Sequence, residues 1–136
     1  MKGDLHMNQE EYIQKSLDYK HSGYNCTQSV VMTFIELTKY TPEELSVLAS
    51  GFGAGMGCMG ATCGALVGAG IIGSLLCDGK AAPAKSRQLF KEFEELTGAT
   101  ICKDIKGIET GVMLCSCDDA VVNAVKAVIK VFELEQ

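Results

Sequence analysis

At 136 residues the chain can bury one core without disulfide staples, and 12 basic against 17 acidic residues, a formal net charge of −5, leave no electrostatic footprint for DNA or RNA. Residues 45 to 77 carry no charge, but nine glycines between Gly51 and Gly73 dilute that run below the apolar content of a membrane span, so a buried, closely packed helix is expected there. The opening "MKGDLHMNQEEYIQ" has no apolar run after its lysine and no twin arginine, so it does not read as an export signal and a cytoplasmic chain is expected.

Residues 1–7 are expected to form a flexible tail. From Asn8 to about Tyr19, Tyr12, Ile13 and Leu17 give a ragged helical stripe that stops before "HSGYN". Asn25 caps a second helix, with Gln28 at the capping-box position and Val30, Val31, Phe34, Ile35 and Leu37 as its apolar face. In "TPEEL", Thr41 caps a third helix, Pro42 takes its first position, and Glu43 and Glu44 face the positive end of the dipole. A glycine-rich loop through about Gly60 then leads into a helix from roughly Thr62 to Leu76. The next helix spans Lys80 to Thr97, with Pro83 in its first turn and Gly98 as C-cap. In the last, "CDDAVVNAVKAVIKVFELEQ", Val121, Val125, Val128 and Phe132 fall in register, widened by Val122 and Ile129. With no alternating strand, repeat or linker, the expected fold class is all-α: a single-domain bundle of about six helices over residues 1–136.

In a reducing cytoplasm the seven cysteines point to metal binding or redox work rather than structural disulfides. Cys26 follows Asn25, Cys63 follows Thr62 and Cys117 follows Ser116, each in the first turn of an expected helix. Thr100 could cap a short turn through Asp104 that starts with Cys102. Unpaired N–H groups and the positive dipole end at a helix start favour the thiolate, which is both nucleophile and metal ligand. Four thiolates brought together repel one another unless a cation, a cluster or a disulfide neutralises them. A free cysteine is also an ordinary small core residue. Cys77 is the clearest such case, roughly 21 Å beyond Cys63 along an intact helix. Cys58 and Cys115 read as spares, resolving thiols or ligand substitutes.

"GMGCMG" at residues 55–60 matches the G-x-G-x-x-G dinucleotide pattern, but "EELSVLAS" before it reads as helix rather than strand, which argues against nucleotide binding. Gly60, Gly64 and Gly68, with Ala61, Ala65 and Ala69 beside them, form a small face for close packing. His6 and His21 read as solvated surface residues. No Ser/His/Asp set or carboxylate pair names an acid or a base, so enzyme activity stays open.

"GYNCTQSV" (23–30), "GFGAGMG" running into "CGALVG" (63–68), and then the separate Cys102 and Cys117 together resemble the redox-active C_GCAxxG_C_C family, named for four cysteines around a short glycine, cysteine and alanine motif. The resemblance runs from about Gly23 to about Val125 and puts the family cysteines on Cys26, Cys63, Cys102 and, by the "CDDAVV" helix start, Cys117 rather than Cys115. It implies a small helical redox protein. Some relatives are fused to haem-binding segments, as in split-Soret cytochromes, and there the four cysteines look like ligands of an iron-sulfur cluster. This chain has no C-x-x-C-H site, so no covalent haem is carried over. The resulting expectation is an iron-sulfur cluster on Cys26, Cys63, Cys102 and Cys117, serving electron transfer or redox sensing with a redox protein partner; homodimerisation is a weaker expectation. The alternatives are a zinc-stabilised or metal-free interaction module, for which Cys58 with Cys63 is the one candidate knuckle, and a thiol-disulfide oxidoreductase, which lacks a C-x-x-C pair.

Overall fold

A computed structural model describes residues 7–134 and shows why the capping signals matter. Its α-helices are α1 (Gln9–Lys20), α2 (Cys26–Thr33), α3 (Pro42–Ala49), α4 (Gly64–Leu76), α5 (Ala82–Thr97), α6 (Cys102–Lys106) and α7 (Cys117–Phe132). A 3-10 turn at Ile35–Leu37 and a π-turn at Gly55–Met59 complete the regular structure among the described residues. Of the expected N-terminal tail, residues 1–6 lie outside the described residues, and Met7 packs partly buried against the core.

Three helices start with complete capping boxes, Asn8 with Glu11, Asn25 with Gln28 and Thr41 with Glu44, so two otherwise orphaned N–H groups are satisfied at each start. Gly98 ends α5 in the left-handed region at φ 96°, where a side chain would be strained. The expected fold class is correct, with the short α6 added as a seventh helix. Two boundaries differ. The fourth helix begins at Gly64 because Thr62 instead pairs with Ile101 in an isolated antiparallel bridge. The second ends at Thr33, and the stretch expected to continue it tightens into the 3-10 turn.

The packing centres on α4 and α7. Helix α4 lies against α2, α5 and α7; α7 also meets α1, α2 and α5, and α3 leans on α2. Their shared core holds Tyr12, Phe34, Ile72, Phe93, Val125 and Val128, all fully buried. The small face works where α4 meets α2: a Cβ on Gly68 would stand 2.9 Å from the Thr27 carbonyl oxygen. Gly60 does not belong to it, since it precedes the helix and meets nothing nearer than the Cys58 sulfur at 3.5 Å. No helix among the described residues is long and apolar enough to cross a membrane.

Candidate functional site

The site is assembled at helix starts on one end of the bundle. Cys26 occupies the first position of α2, held by Asn25, which caps the helix and donates from Nδ2 to the Ser50 carbonyl at 3.0 Å. Next along, Thr27 Oγ1 donates to the Gly64 carbonyl at 2.9 Å and ties α2 to the start of α4. The approach is so close that a Cβ on Gly64 would lie 2.5 Å from the Cys26 sulfur. Gly64 therefore clears the space beside which Cys26 and Cys63 sit.

The bridge between Thr62 and Ile101 brings in the third thiol. Cys63 N–H donates to the Thr100 carbonyl at 2.7 Å and Cys102 N–H to the Ala61 carbonyl at 3.0 Å, so the two cysteines flank the bridge diagonally, Cys63 opposite Thr100 and Cys102 opposite Ala61. Helix α6 then turns away. The chain returns when Leu114 N–H bonds the Ile105 carbonyl at 2.8 Å, and Ser116 caps α7 with Cys117 at its first position. The outcome is a pocket of about 20 Å³, room for about one water, lined by Cys26, Cys63, Cys102, Cys115, Cys117 and Lys106, among others.

The four nominated cysteines thus share one pocket, while Cys58 and Cys77 stand outside its lining. Cys26, Cys63 and Cys102 are buried, whereas Cys115 and Cys117 are half-buried at the mouth, and all are free thiols. Two local expectations need correction. Cys63 is the N-cap of α4 rather than a first-turn residue, and Ile101, not Thr100, precedes α6, with no side-chain cap.

The expected thiolate preference at helix starts also fails at Cys63. Burial pushes its thiol up to about 11, and the nearby Cys26 and Cys102 sulfurs add to that; the Ala65 and Leu66 N–H groups pull the other way but close no capping hydrogen bond. Burial likewise raises the Cys102 thiol, against the pull of Lys106, and raises Cys115, with Asp119 and Cys117 adding to it. For the Lys106 ammonium, burial works against the charge, but the Cys117, Cys102 and Cys26 sulfurs outweigh it and its pKa rises. Desolvation is the largest influence on the Cys63, Cys102 and Cys115 thiols. Among the described residues no group of three or more His, Cys, Asp or Glu side chains could hold a metal ion.

Some participants escaped the sequence reading. Lys106 lies one helical turn beyond Cys102, an i, i+4 spacing that was there to be read. His21 is exposed, as expected, but its Nε2 lies 2.7 Å from Asp118 Oδ2 and joins the end of α1 to the start of α7 beside Cys117. That hydrogen bond, with the nearby Lys20, holds the Asp118 carboxyl below its usual range. The "GMGCMG" stretch forms the π-turn, with Gly55, Met56 and Gly57 all at positive φ, and no strand feeds it.

Residues 24–131 match the family described as "Putative redox-active protein (C_GCAxxG_C_C)". The chain belongs to this family. No curated protein and no solved structure matches it. The C_GCAxxG_C_C match spans every helix from α2 to α6 and nearly all of α7, so it takes in all the thiols of the pocket.

Proposed function

We propose that Cys26, Cys63, Cys102 and Cys117 hold an iron-sulfur cluster for electron transfer or redox sensing in the cytoplasm. The observation that carries this reading is four thiols, drawn from four separate helix starts, around one pocket with a lysine. The donor set fits, because cysteine thiolates are the usual ligands of two-iron and four-iron clusters. When bound, the cluster would supply a one-electron couple. With Cys63 pushed up to about 11, that thiol keeps its proton at neutral pH unless a cationic centre displaces it. Lys106 offsets part of the charge the sulfurs would then carry.

A single zinc ion is the weaker alternative. It would need all four sulfurs at about 2.3 Å from one centre, and no three described side chains of ligand type meet that way. A larger polynuclear body asks for no such point, though it requires the pocket to widen. The segment 107–114, which joins the lining residues Lys106 and Cys115, exposes Ile108, Val112, Met113 and Leu114 and is the part we expect to give. The same exposed edge is where a redox protein partner would approach.

Anaerobic purification followed by iron and sulfide analysis tests the reading. The expected product is brown and contains both elements, and Cys63→Ser loses the colour. Colourless wild-type protein without iron or sulfide would remove it. A thiol-disulfide oxidoreductase remains the metal-free reading, favoured by the number of free thiols on one pocket; it requires a reversible disulfide between two of them after complete metal removal.

A further inference from the structure

Cys115 is not among the four cysteines of the proposed site, yet it lines the same pocket. Its sulfur accepts a hydrogen bond from Asn123 Nδ2 at 3.7 Å. The same amide nitrogen bonds Thr97 Oγ1 at 3.0 Å and the Leu96 carbonyl at 3.5 Å, so the group that holds Cys115 is anchored to the end of α5. Backbone placement is equally definite. Leu114 is tied to Ile105 on one side and Ser116 caps α7 on the other, which leaves Cys115 a fixed position at the mouth.

We propose that Cys115 is a reserve thiol of this site, held back by Asn123 and able to replace Cys117. The inference rests on the cluster reading above. Three thiols, Cys26, Cys63 and Cys102, are 7 %, 6 % and 4 % exposed, come from three different elements, and have no second pocket-lining cysteine beside them in sequence. Cys117 differs. It is half-buried rather than buried, and a second half-buried cysteine lies two residues away in the lining of the same pocket.

The local contacts separate the two roles. Lys106 lies within hydrogen-bonding reach of the Cys117 sulfur. The Cys115 sulfur is held instead by the side-chain amide of Asn123. An exchange needs no oxidant. The Cys115 thiol gives up its proton as its sulfur becomes a ligand, the released Cys117 sulfur takes up one proton, and net charge and electron count stay the same. Where Cys117 has been lost to modification, only the Cys115 half occurs, and four thiolates are restored.

The test compares anaerobically purified wild-type protein with Cys115→Ala, Cys117→Ala, the double variant and Cys63→Ala, by iron and sulfide content and by paramagnetic resonance after reduction. Cys115→Ala is expected to match wild type. Cys117→Ala should keep iron within about twofold of wild type with a shifted spectrum, whereas the double variant and Cys63→Ala should fall by more than about tenfold. Mass spectrometry after iodoacetamide treatment supplies a second readout. Cys115 should be alkylated in loaded wild-type protein and protected in Cys117→Ala. If Cys117→Ala loses iron as fully as the double variant, or leaves Cys115 open to alkylation, the reserve role fails while the cluster reading stands. Wild-type protein without iron removes both.

Discussion

Among the described residues lining the pocket, Lys106 alone is basic, and its effect on the sulfurs is measurable without any metal. Burial raises the Cys102 thiol, and the Lys106 charge is what opposes that rise. Replacing the lysine by methionine keeps most of the apolar stem and removes the charge. In metal-free protein, Lys106→Met should therefore move the thiolate absorbance titration of Cys102 to higher pH, by about one unit or less for one partly solvated charge. Lys106→Arg should restore it. Difference titrations against Cys102→Ala isolate the relevant thiol, and superimposable curves for wild type and Lys106→Met would show that the lysine is no electrostatic partner. Individual residues were legible in the sequence to very different degrees. The cysteines stood out by type and spacing, and Lys106 could have been paired with Cys102 from its place one turn on. Asn123 could not, because its link to Cys115 depends on where α5 ends relative to α7.

Helices are where sequence reasoning did best, and where its limits are physical. Asn8, Asn25 and Thr41 announce their helices because the capping box is a local device, closed within four residues. Thr62 misled for the opposite reason: a residue of good capping type was drawn into a bridge with Ile101, 39 positions away, and long-range pairing overrode local propensity. The same contact brings Cys63 and Cys102 to one pocket, so this part of the site was illegible wherever the bridge was. Asn25 tests the local half. Asn25→Ala removes the cap and the tie to Ser50 and should cost about 1–2 kcal/mol in chemical denaturation. Two glycines of α4 test the packed half. Gly64→Ala would force a Cβ to 2.5 Å from the Cys26 sulfur and 2.6 Å from Thr27 Oγ1, so it should destabilise by about 1–3 kcal/mol. A Cβ on Gly70 meets nothing within 4 Å, and Gly70→Ala should stabilise by about 0.5–1 kcal/mol through the lost flexibility of glycine in a helix. Equal effects at the two positions would mean that α2 and α4 do not approach as closely as described.

For the molecule as a whole, the pocket is a place where the fold works against the proposed chemistry, since it buries thiols whose proposed role calls for thiolates. Three inner cysteines come from α2, the start of α4 and α6, so whatever joins them also joins those elements, and a bound cluster would stabilise the folded state by binding it alone. Metal-free protein exposes the opposing term. Because the folded Cys63 thiol is pushed up to about 11, above the ordinary thiol value, the native state holds a proton that the unfolded chain releases first. The sign follows from proton counting: below the unfolded pKa both states are protonated and the full stability is present, and as pH rises towards the folded pKa the unfolded state is favoured. Stability should therefore fall between about pH 9 and pH 11, with Cys63 contributing about 2 kcal/mol of the loss. Chemical denaturation of the reduced, chelator-treated protein across that range gives the curve, and the same series on Cys63→Ala removes the contribution of this thiol. The substitution should lower stability at neutral pH by leaving a small cavity, yet flatten the decline above about pH 9. If the two proteins decline in parallel, desolvation of Cys63 is not what makes the fold alkali-sensitive, and the need for a cationic centre to draw off its proton loses its physical basis.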